Sequence, residues 1–220
     1  MSTVNIKSSC STHNIYDVTF HSDRIQTLVT NSPSVVESWI SEIELTHRSG
    51  LKNLIVGLDT EHHPNFKRND KHRVATLQLC VGNRCLIFQI FQASYIPQAL
   101  KNFLLNDNYS FVGQCDRSEN SDCSSAWTGH EGVEAGLKSL SEKVLKKKIE
   151  KPKEIQRSNW DDRSLSPDRV QYACLDAFVS YEIGRTLKTG SLSSSSSSSL
   201  SPGLLLMGSL TALAFAIYKS

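Results

Sequence analysis

The feature that most constrains this chain is the run Leu54-Ile55-Val56-Gly57-Leu58-Asp59-Thr60-Glu61, apolar for five positions and closed by two carboxylates spaced i, i+2. An uninterrupted apolar stretch of this length, entered through Gly50, has the pattern of a buried strand. Residues two apart on a strand point the same way, so Asp59 and Glu61 stand side by side while Thr60 faces away. Two ionised carboxylates held that close repel each other. A shared cation relieves the repulsion, and hard oxygen donors suit Mg²⁺ or Mn²⁺. Taken alone, such a pair is more often two solvated acids at a strand end, so the chemistry needs partners elsewhere in the chain.

The partners come near the end of the globular part. Ser166 is a good N-cap and Pro167 a good first helical residue, so a helix is expected to start there. Val170, Ala173, Ala177 and Ile183 give that helix an apolar stripe. Tyr172 and Asp176, four apart, share one of its faces. A helix delivering a phenol and a carboxylate to a strand bearing two carboxylates outlines a two-metal phosphoryl-transfer site.

These motifs resemble the DEDD superfamily of 3′–5′ exonucleases, in the subgroup with a tyrosine in its last motif, and most of all the Werner-type exonuclease domain of plants. Gly57-Leu58-Asp59-Thr60-Glu61 matches the first motif, and Val74-Ala75-Thr76-Leu77-Gln78-Leu79-Cys80 the next strand of the family. Gly136-Leu137-Lys138-Ser139-Leu140 with Val144-Leu145, then Ser158-Asn159-Trp160-Asp161, then the Tyr172/Asp176 helix match the C-terminal half. The match runs over residues 17–187 or so. The resemblance implies an α/β, RNase H-like fold: a mixed sheet, an antiparallel meander plus parallel strands, flanked by helices. It implies two divalent cations, Mg²⁺ or Mn²⁺, held by Asp59, Glu61 and Asp176, with Tyr172 orienting the attacking water. The activity expected is release of nucleoside 5′-monophosphates from DNA or RNA 3′ ends. Residues Thr60, His62 and Leu77 are expected to touch substrate.

One stretch departs from that pattern. After Ser110-Phe111-Val112-Gly113 the family continues with an aspartate and an apolar helix. Here Gln114-Cys115-Asp116-Arg117-Ser118-Glu119 leads almost directly into residues resembling the family's chain beyond that helix. The fourth metal ligand is therefore Glu119 or Asp116, each without the helix that would fix its geometry, and Asp122 fits a later strand instead. A carboxylate misplaced by about 1 Å can cost about a hundredfold in rate. The alternative function is accordingly a catalytically impaired nucleic-acid-binding or interaction module that keeps the exonuclease fold.

The remainder of the chain organises around this core. Residues 1–14 are polar and expected to be disordered, and 15–188 form the exonuclease-like domain. Short strands are expected over 17–21 and 24–29, with a turn at Ser22-Asp23. Asn31 and Ser32 precede a helix through Val36, Trp39, Ile40 and Ile43, with Trp39 in the core. Strands 74–81 and 85–90, joined at Gly82-Asn83-Arg84, form the meander with the Asp59 strand. Helices are expected over 96–105 and 135–145, and a strand over 110–113.

His62 and His63 are adjacent, so on an extended chain they point to opposite sides; substrate contact or solvation suits them better than metal. The polar loop 67–73 is either solvated or close enough to touch phosphate. Between residues 138 and 157 eight Lys/Arg stand against three Glu, which suits either a solvated face or a polyanion. Trp160 reads as a core anchor. A net charge of +2 does not discriminate among partners, and the six cysteines lack the paired spacing of a structural zinc site. No signal-peptide pattern opens the chain, so reduced thiols and a nuclear or cytoplasmic location are expected. Residues 189–202 read as a serine-rich linker. Residues 203–218 are sixteen uncharged, mostly apolar positions: a C-terminal membrane anchor, a weak membrane-surface segment or an unfolded tail. No sequence element argues for an oligomeric state.

Overall fold

In the computed structural model the described residues are 2–62, 73–113 and 136–193. They build one seven-stranded mixed sheet with helices on both faces. The strands are β1 (Ser2–Ser9), β2 (His13–Phe20), β3 (Asp23–Thr30), β4 (Ile55–His62), β5 (Val74–Val81), β6 (Arg84–Phe88) and β7 (Ser110–Gly113). Their spatial order is β1-β2-β3-β6-β5-β4-β7. The centre is the expected antiparallel meander β4-β5-β6. Parallel pairings add β3 beside β6 and β7 beside β4.

The helices are α1 (Pro33–Thr46), α2 (Gln98–Leu104), α3 (Leu137–Leu140), α4 (Lys153–Gln156) and α5 (Pro167–Ser193). Two apolar layers cover the sheet. Val36, Trp39 and Ile40 of α1 and Leu100 and Phe103 of α2 pack with Val56, Leu77, Leu79 and Phe88. On the other face Val170, Ala173, Ala177, Phe178 and Ile183 of α5 pack with Val18, Ile25, Cys80 and Ile87. Each large aliphatic or aromatic side chain buried this way contributes about 1.5–3 kcal/mol. The central strand β5 is buried on both faces from Ala75 to Val81, its polar Thr76 and Gln78 included. The tight β5–β6 turn places Gly82 at φ +56°, a conformation that glycine adopts without a steric penalty.

Several elements differ from the sequence expectation. The N-terminus is an ordered edge strand: β1 pairs with β2, Thr3 and Thr19 hydroxyls lie 2.6 Å apart, and Gln171 of α5 donates to the Ser2 hydroxyl at 3.0 Å. Its polar composition belongs to a strand with one wet face, which looks like a loose tail when read alone. The β2–β3 turn falls one residue early, at His21-Ser22, with His21 at φ +56°. Strand β6 stops at Phe88 because Gln89 turns to donate to the Asp162 and Arg163 carbonyls at 2.9 and 3.2 Å, and a short 3₁₀ turn comes next over Ile90–Gln92.

Helix α2 starts at Gln98 because Pro97 holds an extended conformation and restricts Ile96 before it. Helix α3 is four residues long and widens into a π turn over Ser141–Leu145, closed by Lys146 at φ +56°. Helix α5 continues through Ser193, so the first part of the expected 189–202 linker is helical. The rest of that linker and segment 203–218 lie outside the described residues. Among the described residues no helix is long and apolar enough to cross a membrane.

Candidate active site

The site is made by one close crossing. On β4, Gly57, Asp59 and Glu61 alternate onto the face that α5 covers. A Cβ built on Gly57 would lie 2.0 Å from the Ala177 carbonyl oxygen and 2.7 Å from the Tyr181 backbone nitrogen. Only a residue without a side chain lets α5 lie that close to the strand. The helix starts as the sequence predicts: the Ser166 carbonyl accepts from Val170 N at 3.0 Å and its hydroxyl from Arg169 N at 3.4 Å. The guanidinium of Arg169 then donates to the Asn159 carbonyl and the Asp162 carboxylate, both at 2.7 Å, tying the preceding loop to the helix. With α5 seated on Gly57, Asp176 and Tyr172 are delivered to the two acids of β4.

One oxygen from each of Asp59, Glu61 and Asp176 lies within 4.8 Å of the others. Three carboxylates converging on one point form a hard, anionic donor set, and this fits a divalent cation such as Mg²⁺ or Mn²⁺. Asp176 is 3 % exposed and Glu61 9 %. Burial pushes the Asp176 carboxyl above the usual carboxylate range, against the opposing pull of Lys151 and hydrogen bonds from Tyr172 and Asp59. The Tyr172 phenol is also pushed up, first by burial and then by the three surrounding carboxylates, so it remains a neutral donor. Its ring packs on Trp160 with centroids 5.9 Å apart, and Trp160 Nε1 donates to the Gln156 carbonyl at 3.1 Å. Trp160 is thus the expected core anchor, and what it anchors is Tyr172.

Beneath the acids the sheet is polar. Gln78 lies opposite Asp59 and Thr76 opposite Glu61 in the ladder, both fully buried, with Gln78 Nε2 donating to Thr76 Oγ1 at 2.6 Å. Gln78 Oε1 has no hydrogen-bond partner among the described residues.

The other expected site residues fall elsewhere. Thr60 and Leu77 oppose each other in the ladder on the face away from the acids. Leu77 is fully buried against α1 and α2, which corrects the expectation that it touches substrate. Thr60 is half-buried on that same far side. His62 comes after a register shift at Glu61 and sits half-buried at the strand's end. Glu119 and Asp116, the two candidates for the fourth ligand, lie outside the described residues, as do His63 and most of the 67–73 loop.

Two features escaped the sequence reading. One is the polar floor, Thr76 and Gln78, hidden inside an apolar strand. The other is Lys151, whose Nζ lies 2.8 Å from Asp176 Oδ2. Its signal was present in the basic run, because Lys147, Ile149 and Lys151 alternate inward while Lys146, Lys148 and Glu150 are exposed. A period of two marks an extended segment with one packed side.

The mixed sheet with an Asp-x-Glu pair on β4 and a Tyr-x₃-Asp pair on the covering helix α5 is the arrangement that the resemblance to the tyrosine subgroup of DEDD 3′–5′ exonucleases implies. The comparisons with known proteins agree. The 3′–5′ exonuclease family matches residues 115–190. A 3′–5′ exonuclease of Arabidopsis thaliana is 32 % identical over 152 residues, covering 60 % of this chain and 52 % of that protein. The bifunctional 3′–5′ exonuclease/ATP-dependent helicase WRN of Mus musculus is 31 % identical over 150 residues, covering 57 % of this chain and 10 % of that one. These matches support a DEDD 3′–5′ exonuclease, Werner-type exonuclease-like domain.

Solved structures bear out the fold. Escherichia coli RNase D superposes with a TM-score of 0.54 at 13 % identity, over 87 % of this chain and 49 % of that one. The catalytic core of RRP6 from Trypanosoma brucei gives 0.56 at 14 %, over 93 % and 52 %. The chain thus spans about half of the plant relative and of both structures.

Proposed function

We propose that this protein is a metal-dependent 3′–5′ exonuclease that hydrolyses the terminal phosphodiester of DNA or RNA and releases nucleoside 5′-monophosphates. The observation that carries the reading is the convergence of Asp59, Glu61 and Asp176, with the Tyr172 hydroxyl hydrogen-bonded to Asp176. The three carboxylates would hold two divalent cations, Mg²⁺ or Mn²⁺, which when bound supply an activated water and charge stabilisation at the scissile phosphate.

The chain's own groups do the rest. The Tyr172 phenol, kept protonated by burial and by negative neighbours, donates its hydrogen bond to Asp176 and would position the attacking water by accepting from it through the hydroxyl oxygen. Trp160 packs on its ring, so the hydroxyl is preorganised rather than recruited. The exposed Lys146, Lys148 and Lys153, on the segment that brings Lys151 to Asp176, would attract a polyanionic strand and raise its local concentration. A free or overhanging 3′ end suits this surface, since the terminal nucleotide has to reach buried carboxylates.

The test is release of labelled nucleotide from a 3′-overhang duplex and from single-stranded RNA, with Mg²⁺ or Mn²⁺ supplied, for the wild type and Asp59→Ala. Metal-dependent release lost in the variant supports the proposal. No release from either substrate by folded wild-type protein sinks it.

A further inference from the structure

The segment between the π turn and α4 carries a device that the acids alone do not explain. It runs extended from Lys147 to Lys151 and is fastened at two points. Lys147 Nζ pairs with Asp23 at 2.5 Å and lies over the Phe20 ring, 5.7 Å from its centroid. Ile149, at 2 % exposure, is sunk in the α5 core. The Ser141 hydroxyl donates to the Lys147 carbonyl at 2.7 Å and holds the start of the segment to the π turn. These fastenings direct the chain towards Lys151 along the α5 side of the sheet. The Lys151 ammonium therefore arrives at Asp176 Oδ2, 2.8 Å away, on a carboxylate that is almost wholly withdrawn from water.

We propose that Lys151 is a built-in counter-cation of the active site, competing with the divalent ion for Asp176. In the ion-free protein its ammonium neutralises part of the charge of three converging carboxylates and holds them in place. When a divalent cation binds Asp176, the ammonium is driven off that oxygen. This rests on the reading of Asp59, Glu61 and Asp176 as metal ligands.

Three observations support the exchange. A divalent ion bound to the same oxygen would lie within a few ångströms of the ammonium, where like charges repel strongly in a site so poorly solvated. The lysine side chain, unlike that of Asp176, keeps 23 % of its surface exposed and so has somewhere to go. The Tyr172 ring, 5.5 Å from Nζ, offers a second resting place by cation–π attraction that needs no carboxylate. The stem can rotate while the fastened backbone stays still, so the displaced charge remains beside the phosphate that substrate brings.

The test is Mn²⁺ binding to the full chain without substrate, by calorimetry, together with thermal melting in chelator. Lys151→Met keeps the stem and removes the charge. It is expected to bind Mn²⁺ about tenfold more tightly than wild type, a coupling of ordinary size, and to melt lower than wild type in chelator only. Lys151→Gln gives the same result by a second route if the methionine variant does not fold, and Lys151→Arg stays near wild type. A side chain that merely props the structure would loosen metal binding when removed. Mn²⁺ affinity unchanged or weaker in both neutral variants overturns the proposal while leaving the metal site intact. A wild type that binds no Mn²⁺, matching Asp176→Asn, overturns the metal site itself and this proposal with it.

Discussion

Among the described glycines Gly57 makes the closest contact, and replacing it by alanine is a direct test of how the site is assembled. The new Cβ would lie 2.0 Å from the Ala177 carbonyl oxygen, against a floor of about 3.0 Å for real Cβ contacts, so α5 must retreat by about 1 Å. Backbone atoms, not a flexible side-chain end, stand in the way, and the contact cannot be relieved by a rotamer change. The retreat carries Asp176 and Tyr172 away from Asp59 and Glu61. Overpacking of this kind costs about 1–3 kcal/mol, and a chain of this size loses roughly 2–4 °C in Tm for each of them. The functional loss is larger, because a displacement of about 1 Å in a catalytic group costs about a hundredfold in rate. Gly82→Ala is the companion variant. Gly82 has no atom within 4 Å of its Cβ position but sits at φ +56°, so alanine there costs about 1–2 kcal/mol in stability with no effect on the acids. Nucleotide release and melting should be measured on both. Equal loss of rate in the two variants, or full rate in Gly57→Ala, would refute the claim that the crossing at Gly57 positions the site.

Two further variants separate chemistry from stability. Tyr172→Phe keeps the ring on Trp160, and so the fold, but removes the hydroxyl that meets Asp176; kcat is expected to fall about 10²–10⁴-fold with Tm within a few degrees and Mn²⁺ affinity little changed, read by initial-rate kinetics beside calorimetry. Tyr109 donates to Glu44 at 2.9 Å, and burial first, then Glu44, pushes its phenol up to about 12 from 10.0. A phenol raised in the folded state is fully stabilising below its unfolded value and loses that contribution as pH climbs from 10.0 towards about 12. Tyr109→Phe is therefore expected to cost about 1 kcal/mol at neutral pH and to flatten the alkaline fall in stability, as measured by urea titrations at several pH values.

How much of the fold and site is legible in the sequence depends on the range over which each signal acts. The strand bearing Asp59 and Glu61 announces itself because burial on both faces leaves an apolar run, and the α5 start because Ser166 and Pro167 satisfy a local geometric need. The pairing of those two elements was legible only through the family resemblance, since nothing local says that Gly57 exists to let Ala177 approach. The edge strand β1 was missed because a strand with one wet face and a weak apolar contact at Val4 has the composition of a tail. Leu77 was misplaced because an apolar residue in a motif strand says nothing about which helix layer it faces; the ladder partner Thr60, not Asp59, decides that. Lys151 is the instructive case. In a run of lysines every ammonium looks solvated, and composition alone treats Lys146, Lys147, Lys148 and Lys151 alike. The buried Ile149 breaks that equivalence, because in an extended segment it sends its neighbours two away to the same side. One of those neighbours meets Asp23 and the other meets Asp176. A charge is thereby placed in the active site by an isoleucine two residues before it, and substituting Ile149 should disturb metal binding as well as the core.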